Sequence, residues 1–218
     1  MEWARELGYS TDLLSYDLNP DKLVALIAAA IQQKSAAIIC DLAGTQPESA
    51  VASLSESKKA KIPCFLIDRE LPRKGIVVSQ ILANQYQGAS LVAEEFVKLM
   101  SESGDYIELD GPPGSEVTAI RSKGFNDVIS QYPELKKVRV VNTQSWSQPA
   151  AMAATEAIIA GNRSLKGVIC ANDILALGAA AALRYAGEQR VIVAFLGLPG
   201  RLTGLAISSA KETCVCAL

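Results

Sequence analysis

Short apolar runs alternate along this chain with longer stretches in which apolar residues recur every three or four positions. The runs at 36–42, 63–67, 75–82, 105–109, 137–141, 167–171, 190–195 and 213–217 have the length and aliphatic character of buried strands. A further run at 11–16 also reads as a strand. Helical periodicity fills 20–33, 47–59, 87–100, 116–131, 148–160, 173–185 and 201–209. Residues 1–7 read as the end of a helix capped by Gly8, and Asn19-Pro20-Asp21 as a helix start with proline in the first turn. Strands alternating with helices of this length imply βαβ units and parallel sheets. Both halves keep the same rhythm, so two similar α/β lobes are expected, residues 1–83 and 84–218. The crossing near 83–87 has no obvious linker.

Composition narrows the function. Half of the 218 residues are hydrophobic but only 6% are aromatic, which suits parallel strands covered by helices. The net charge is −2 and no basic stripe appears, so no nucleic acid partner is expected. The chain has no histidine, which removes a histidine general base, a Ser-His-Asp or Cys-His centre and histidine metal ligands. Five cysteines occur without a CxxC, so they read as small buried hydrophobes, and neither a metal site nor a redox site is expected. The longest apolar run, 23–31, is too short to span a bilayer, and the first residues do not read as a signal peptide. No GxGxxG follows a strand and no GxxxxGK[ST] occurs. The Gly111-Pro-Pro-Gly114 loop loses two backbone donors that a phosphate would need. A nucleotide enzyme is therefore disfavoured, and no cofactor is expected.

Polar groups recur just after predicted strands, where open parallel sheets bind small ligands. Asp68 and Arg69 follow 63–67, Arg121 follows the loop after 105–109, Trp146 follows 137–141, and Asn172 and Asp173 follow 167–171. The set suits a sugar. Asp68 accepts from hydroxyls, Arg69 and Arg121 donate to ring and hydroxyl oxygens, and Asn172 does both. Trp146 offers a flat apolar wall to a sugar's C–H face. Plainer roles stay open: a surface ion pair for Asp68-Arg69, an N-cap for Asn172-Asp173 and a core position for Trp146.

Three stretches carry a resemblance: Lys61-Ile-Pro-Cys-Phe-Leu-Ile-Asp-Arg69, the segment 110–125, and Cys170-Ala-Asn-Asp-Ile-Leu-Ala-Leu-Gly178. They resemble bacterial periplasmic sugar-binding proteins of the ribose-binding type, a fold shared with the effector domains of lac-repressor-like regulators. The resemblance implies an α/β fold of two Rossmann-like lobes, with parallel sheets flanked by helices and a ligand held between them. By motif match it carries over Asp68, Arg69, Arg121, Trp146 and Asn172 as binding residues. It implies non-enzymatic capture of a small sugar or polyol, delivery to an ABC transporter permease, and a periplasmic or extracellular location. The chain departs from the family at Phe195-Leu196-Gly197, where an aspartate is usual, and at Leu218, where a glutamine is frequent. The resemblance also implies that the first lobe is incomplete, lacking its first strand and the returning C-terminal segment. Unpaired strand edges there predict either a homo-oligomer through the first lobe or a rearranged sheet. The rival readings are a regulator's effector domain and a truncated scaffold without a working site.

Overall fold

The computed structural model describes residues 2–42, 47–71, 73–162, 164–188, 190–197 and 215–216. Two compact units divide the chain, Met1–Ala83 and Asn84–Leu218. The first contains α1 (Glu2–Glu6), α2 (Pro20–Gln32), β1 (Ile38–Asp41), α3 (Pro47–Lys59), β2 (Cys64–Ile67) and β3 (Ser79–Ile81). Helix α2 starts where the sequence places it, because the Asn19 side chain accepts from the backbone N–H groups of Asp21 and Lys22. Its Leu23 and Ile27 pack with Ala50 and Leu54 of α3 and Cys64 and Leu66 of β2. The sheet is parallel, in the order β1-β2-β3. Its other face leaves Ile39, Ile67 and Ile81 exposed, with Ile67 and Ile81 paired in register.

One expectation is corrected here. Residues 11–16 form no strand, and Leu13 and Leu14 are exposed. A strand needs a ladder partner, and residues 11–16 pair with neither edge of the sheet β1-β2-β3. The run 75–82 also shortens, to the three residues of β3.

The second unit contains α4 (Gln85–Leu99), β4 (Gly104–Asp110), α5 (Glu116–Ile129), β5 (Leu135–Asn142), α6 (Gln148–Gly161), β6 (Leu165–Cys170), α7 (Asp173–Tyr185), β7 (Ile192–Phe195) and β8 (Val215–Cys216). Its parallel sheet runs β5-β4-β6-β7-β8, the doubly wound order whose direction of winding reverses beside β4. The expected parallel α/β class with flanking helices is therefore what forms. Alternate residues serve opposite faces. Ile107, Leu109, Val168 and Cys170 pack with α6 and α7, while Tyr106, Ile169 and Ala194 pack with α4 and α5. The predicted helix at 201–209 lies outside the described residues, and the predicted strand 213–217 is described only as β8.

In the second unit, α6 and α7 touch through one glycine and α4 and α5 through another. A Cβ on Gly178 of α7 would lie 2.4 Å from the Gln148 carbonyl oxygen of α6. A Cβ on Gly124 of α5 would lie 2.7 Å from the Tyr86 carbonyl oxygen of α4. Gly178→Ala is expected to lower stability by about 1–3 kcal/mol in urea unfolding, the usual effect of overpacking. Gly161→Ala, at a position with nothing within 4 Å, should change it by less than about 1 kcal/mol.

Candidate functional site

Every helix of the second unit runs antiparallel to the strand it adjoins. The helix N-termini therefore lie at the carboxyl edge of the sheet. The sequence supplies a cap at each: Asn84 accepts from Gln87 N–H (3.0 Å), Ser115 from Thr118 N–H (3.4 Å), Ser147 from Ala150 N–H (3.4 Å) and Asn172 from Leu175 N–H (2.9 Å). Gathered N-termini give this edge a positive potential suited to electron-rich oxygens.

Arg121 lies half-buried on α5 and reaches that edge. Its Nε donates to Gln85 Oε1 at 2.8 Å, and its Nη1 donates to the Ala171 carbonyl at 2.5 Å. Ala171 itself donates to the Leu109 carbonyl at 2.9 Å, continuing the pairing of β4 with β6. The structure thus brings Arg121 to the residue before Asn172. Asn172 caps α7 and is half-buried, so the capping role left open by the sequence is real.

Trp146 is half-buried and packs against the α6–α7 side of the core. Its indole lies over Gly111, where a Cβ would sit 2.2 Å from Cη2. Only glycine admits the ring there. The loop carrying Trp146 is tied to the same place, since Thr143 donates its N–H (2.9 Å) and its hydroxyl (2.7 Å) to the Asp110 carbonyl.

Asp68 and Arg69 belong to the first unit, in the turn after β2. Asp68 has φ 70° and donates its N–H to the Ile81 carbonyl at 3.0 Å. Aspartate tolerates this left-handed conformation better than most residues. Asp68 is exposed and Arg69 half-buried. Burial pushes the Tyr16 hydroxyl above its ordinary range, Asp41 and Cys40 push it further, and Arg69 opposes them. Tyr16 and Asp41 therefore share this edge with Arg69, and the sequence reading missed both. Asp41 ends β1 and could have been found by position. Tyr16 carried no such signal, because its segment had the look of a strand.

A second cluster went unread. Glu108 and Asp110 project from one face of β4 and are 1% and 4% exposed. Glu108 accepts from Ser122 Oγ (2.6 Å), Lys137 Nζ (2.7 Å) and Asn126 Nδ2 (3.4 Å). Asp110 Oδ1 has no partner. Burial, then the charge of Glu108, pushes the Asp110 carboxyl up to about 7, against the pull of Lys137. Asp110, Ser115, Thr118, Ser122 and Asn142 border a cavity of about 360 Å³.

Cys64 and Cys170 are buried, and burial pushes the Cys40 thiol up to about 12, away from thiolate chemistry. Leu196 is buried in the α4–α5 side of the core, and a Cβ on Gly88 would meet it at 2.8 Å. The leucine that replaces the family's aspartate is thus a packing residue. Leu218 lies outside the described residues.

The periplasmic binding protein domain model matches residues 1–210. The chain belongs to that family. It is 46% identical over 190 residues to the D-apiose import binding protein of Actinobacillus succinogenes and 44% identical to that of Paraburkholderia graminis. In both cases the match covers 87% of this chain and 60% of the relative. It is 26% identical to the ribose import binding protein of Salmonella typhimurium, over 90% of this chain and 65% of the relative. The chain therefore spans about three fifths of the length of the curated relatives it matches. Among solved structures, a periplasmic solute-binding protein from Actinobacillus succinogenes with bound D-allose superposes with a TM-score of 0.80 at 24% identity, over 89% of this chain and 69% of that one. The three curated relatives are import binding proteins, and the solved structure is that of a solute-binding protein of an ABC transporter.

The raised Asp110 carboxyl has a consequence for stability. Between its ordinary value of 3.8 and about 7, the folded chain keeps a proton that the unfolded chain has released. Stability from this group is therefore highest at acid pH, falls as pH rises through that window, and is level above it. Urea unfolding between pH 4.5 and 8 should show the decline, and Asp110→Asn should flatten it and be the more stable protein at pH 8.

Proposed function

We propose that this chain is the ligand-capturing part of a sugar-import binding protein, taking up a small sugar or polyol without chemical change. The observation that carries the reading is the carboxyl edge of the second unit, where Arg121 is bonded to the residue before Asn172 and Trp146 lies over Gly111. That edge offers fixed donors, an amide and one aromatic wall, the elements of a polyol site. Within the first unit, Asp68 and Arg69 in the turn after β2 offer an acceptor and a cation. We assign ligand contact to all five residues. The two relatives above 40% identity make D-apiose the first ligand to try. Delivery to an ABC transporter permease and a periplasmic location follow for the whole protein, and the same relatives favour uptake over a regulator's effector domain.

The exposed Ile39, Ile67 and Ile81 support self-association of two copies through the first unit. Sedimentation should show a mass that rises with concentration, and Ile67→Lys should hold the protein monomeric.

Isothermal titration with D-apiose, then D-ribose, tests the main reading. Binding is expected to shift tryptophan emission in a Trp3→Phe background, and Trp146→Ala should weaken it about tenfold, the loss of one stacking wall. Silence across a sugar panel at millimolar concentration would overturn it.

A further inference from the structure

The cavity of about 360 Å³ is formed by the end of β4, the loop after it, the first two turns of α5 and the end of β5. It lies wholly within the second unit, and its lining includes none of the five residues assigned to sugar capture. It falls at the small end of the roughly 300–1,000 Å³ typical of ligand pockets, and is about ten times the roughly 30 Å³ that one water occupies in the liquid.

Two lining residues hold buried polar atoms that the fold leaves unbonded. Asp110 is 4% and Thr118 6% exposed. Among the described residues, neither Asp110 Oδ1 nor Thr118 Oγ1 has a hydrogen-bond partner. A threonine inside a helix commonly turns its hydroxyl back to the carbonyl four residues earlier. Thr155, well inside α6, does so, donating to the Ala151 carbonyl at 2.8 Å. Thr118 stands in the first turn of α5, where the residue four earlier, Gly114, precedes the Ser115 cap. Its hydroxyl is therefore cut off from the usual intrahelical acceptor. Buried polar groups without partners are rare in folded proteins, and two on one cavity point to a molecule that bonds them.

The lining selects the kind of molecule. The start of α5 favours electron-rich oxygens. Asp110 and Glu116 are carboxyls, so an anion meets like charge there. A cation meets the positive end of the helix, and the described residues contain no group of three acidic or cysteine side chains fit to hold a metal ion. The nearby ammonium of Lys137 is already bonded to Glu108. What suits the cavity is an uncharged group that both donates and accepts. Asp110, kept neutral below about 7, and the Thr118 hydroxyl each do both in turn, so a hydroxyl satisfies either one.

We propose that the cavity between β4, β5 and the start of α5 is a second binding site, for a small uncharged polyol, with Asp110 and Thr118 bonding its hydroxyls. The site is separate from the Arg121 edge and does not depend on the sugar-capture reading.

Glycerol is the probe, followed through the backbone amides of the full chain labelled with nitrogen-15. The amides of Ser115, Glu116, Thr118 and Asn142 should shift together along one saturable curve. Thr118→Val keeps the shape of the side chain without the hydroxyl and should raise the apparent Kd about tenfold. Asp110→Asn keeps a donor and an acceptor and should bind close to the wild type, whereas Asp110→Leu keeps neither and should not saturate. Arg121→Met should leave the glycerol curve unchanged. The unbonded state has its own readout. In the ligand-free chain, Thr118→Val should hold or raise the urea midpoint, because it removes a buried hydroxyl that has no partner. A clear fall in that midpoint would show the hydroxyl bonded within the fold and overturn the site. Shifts that grow with glycerol without saturating, the sign of water alone in the cavity, would overturn it as well. So would a saturable curve that Thr118→Val leaves intact or that Arg121→Met abolishes, since the polyol would then sit elsewhere. Saturation by glycerol here, in a chain that takes no sugar at the Arg121 edge, would sink the sugar-capture reading and leave this site standing.

Discussion

Parallel strands cannot be joined by a hairpin, and that constraint arranges the rest of this molecule. Each connection must carry the chain back along the sheet, and a helix does so while covering the strands. Strand ends and helix starts then meet at one edge. In the second unit this edge receives the ends of β4, β5 and β6 and the starts of α4 through α7. Arg121, Trp146 and Asn172 come from three different crossovers. They meet there because of topology, before any side-chain interaction is considered.

The close fit of that edge depends on small residues at a few points. Gly124 and Gly178 let the helix pairs approach, which sets where α5 and α7 begin relative to the sheet. Gly111 lets the Trp146 ring settle onto backbone. The strand leading to Gly111 carries two buried carboxyls with one ammonium between them and β5. Burial of that kind favours a neutral Asp110, so the seat of the indole is built on a strand whose charge varies with pH. Gly111, on which the indole sits, directly follows that acid in the chain.

Much of this was legible in the chain. The period of the apolar positions marked α4 to α7 among the described residues, and aliphatic runs marked β4 to β7, because buried parallel strands have little choice of residue. Arg121, Trp146 and Asn172 were legible by position, since each follows a strand. What stayed hidden depends on partners that the periodicity does not reveal. Residues 11–16 have strand-like content but no neighbour to pair with. Glu108 and Asp110 looked like an ordinary polar interruption of an apolar run, when their burial is made tolerable by Lys137, Ser122 and Asn126 from elsewhere in the chain. The bond from Arg121 Nε to Gln85 Oε1 had no local signal at all, because it joins residues 36 positions apart. Leu196 stands where the family usually has an aspartate, and its packing in the core beside Gly88 was not legible in the sequence.

Leu196 also bears on what kind of ligand this edge can hold. An aspartate there would accept hydrogen bonds and carry a negative charge. A buried leucine does neither, and its side chain adds to the packing of β7 against α4. Any acceptor that a ligand's hydroxyls meet at this edge has to come from another position of the chain.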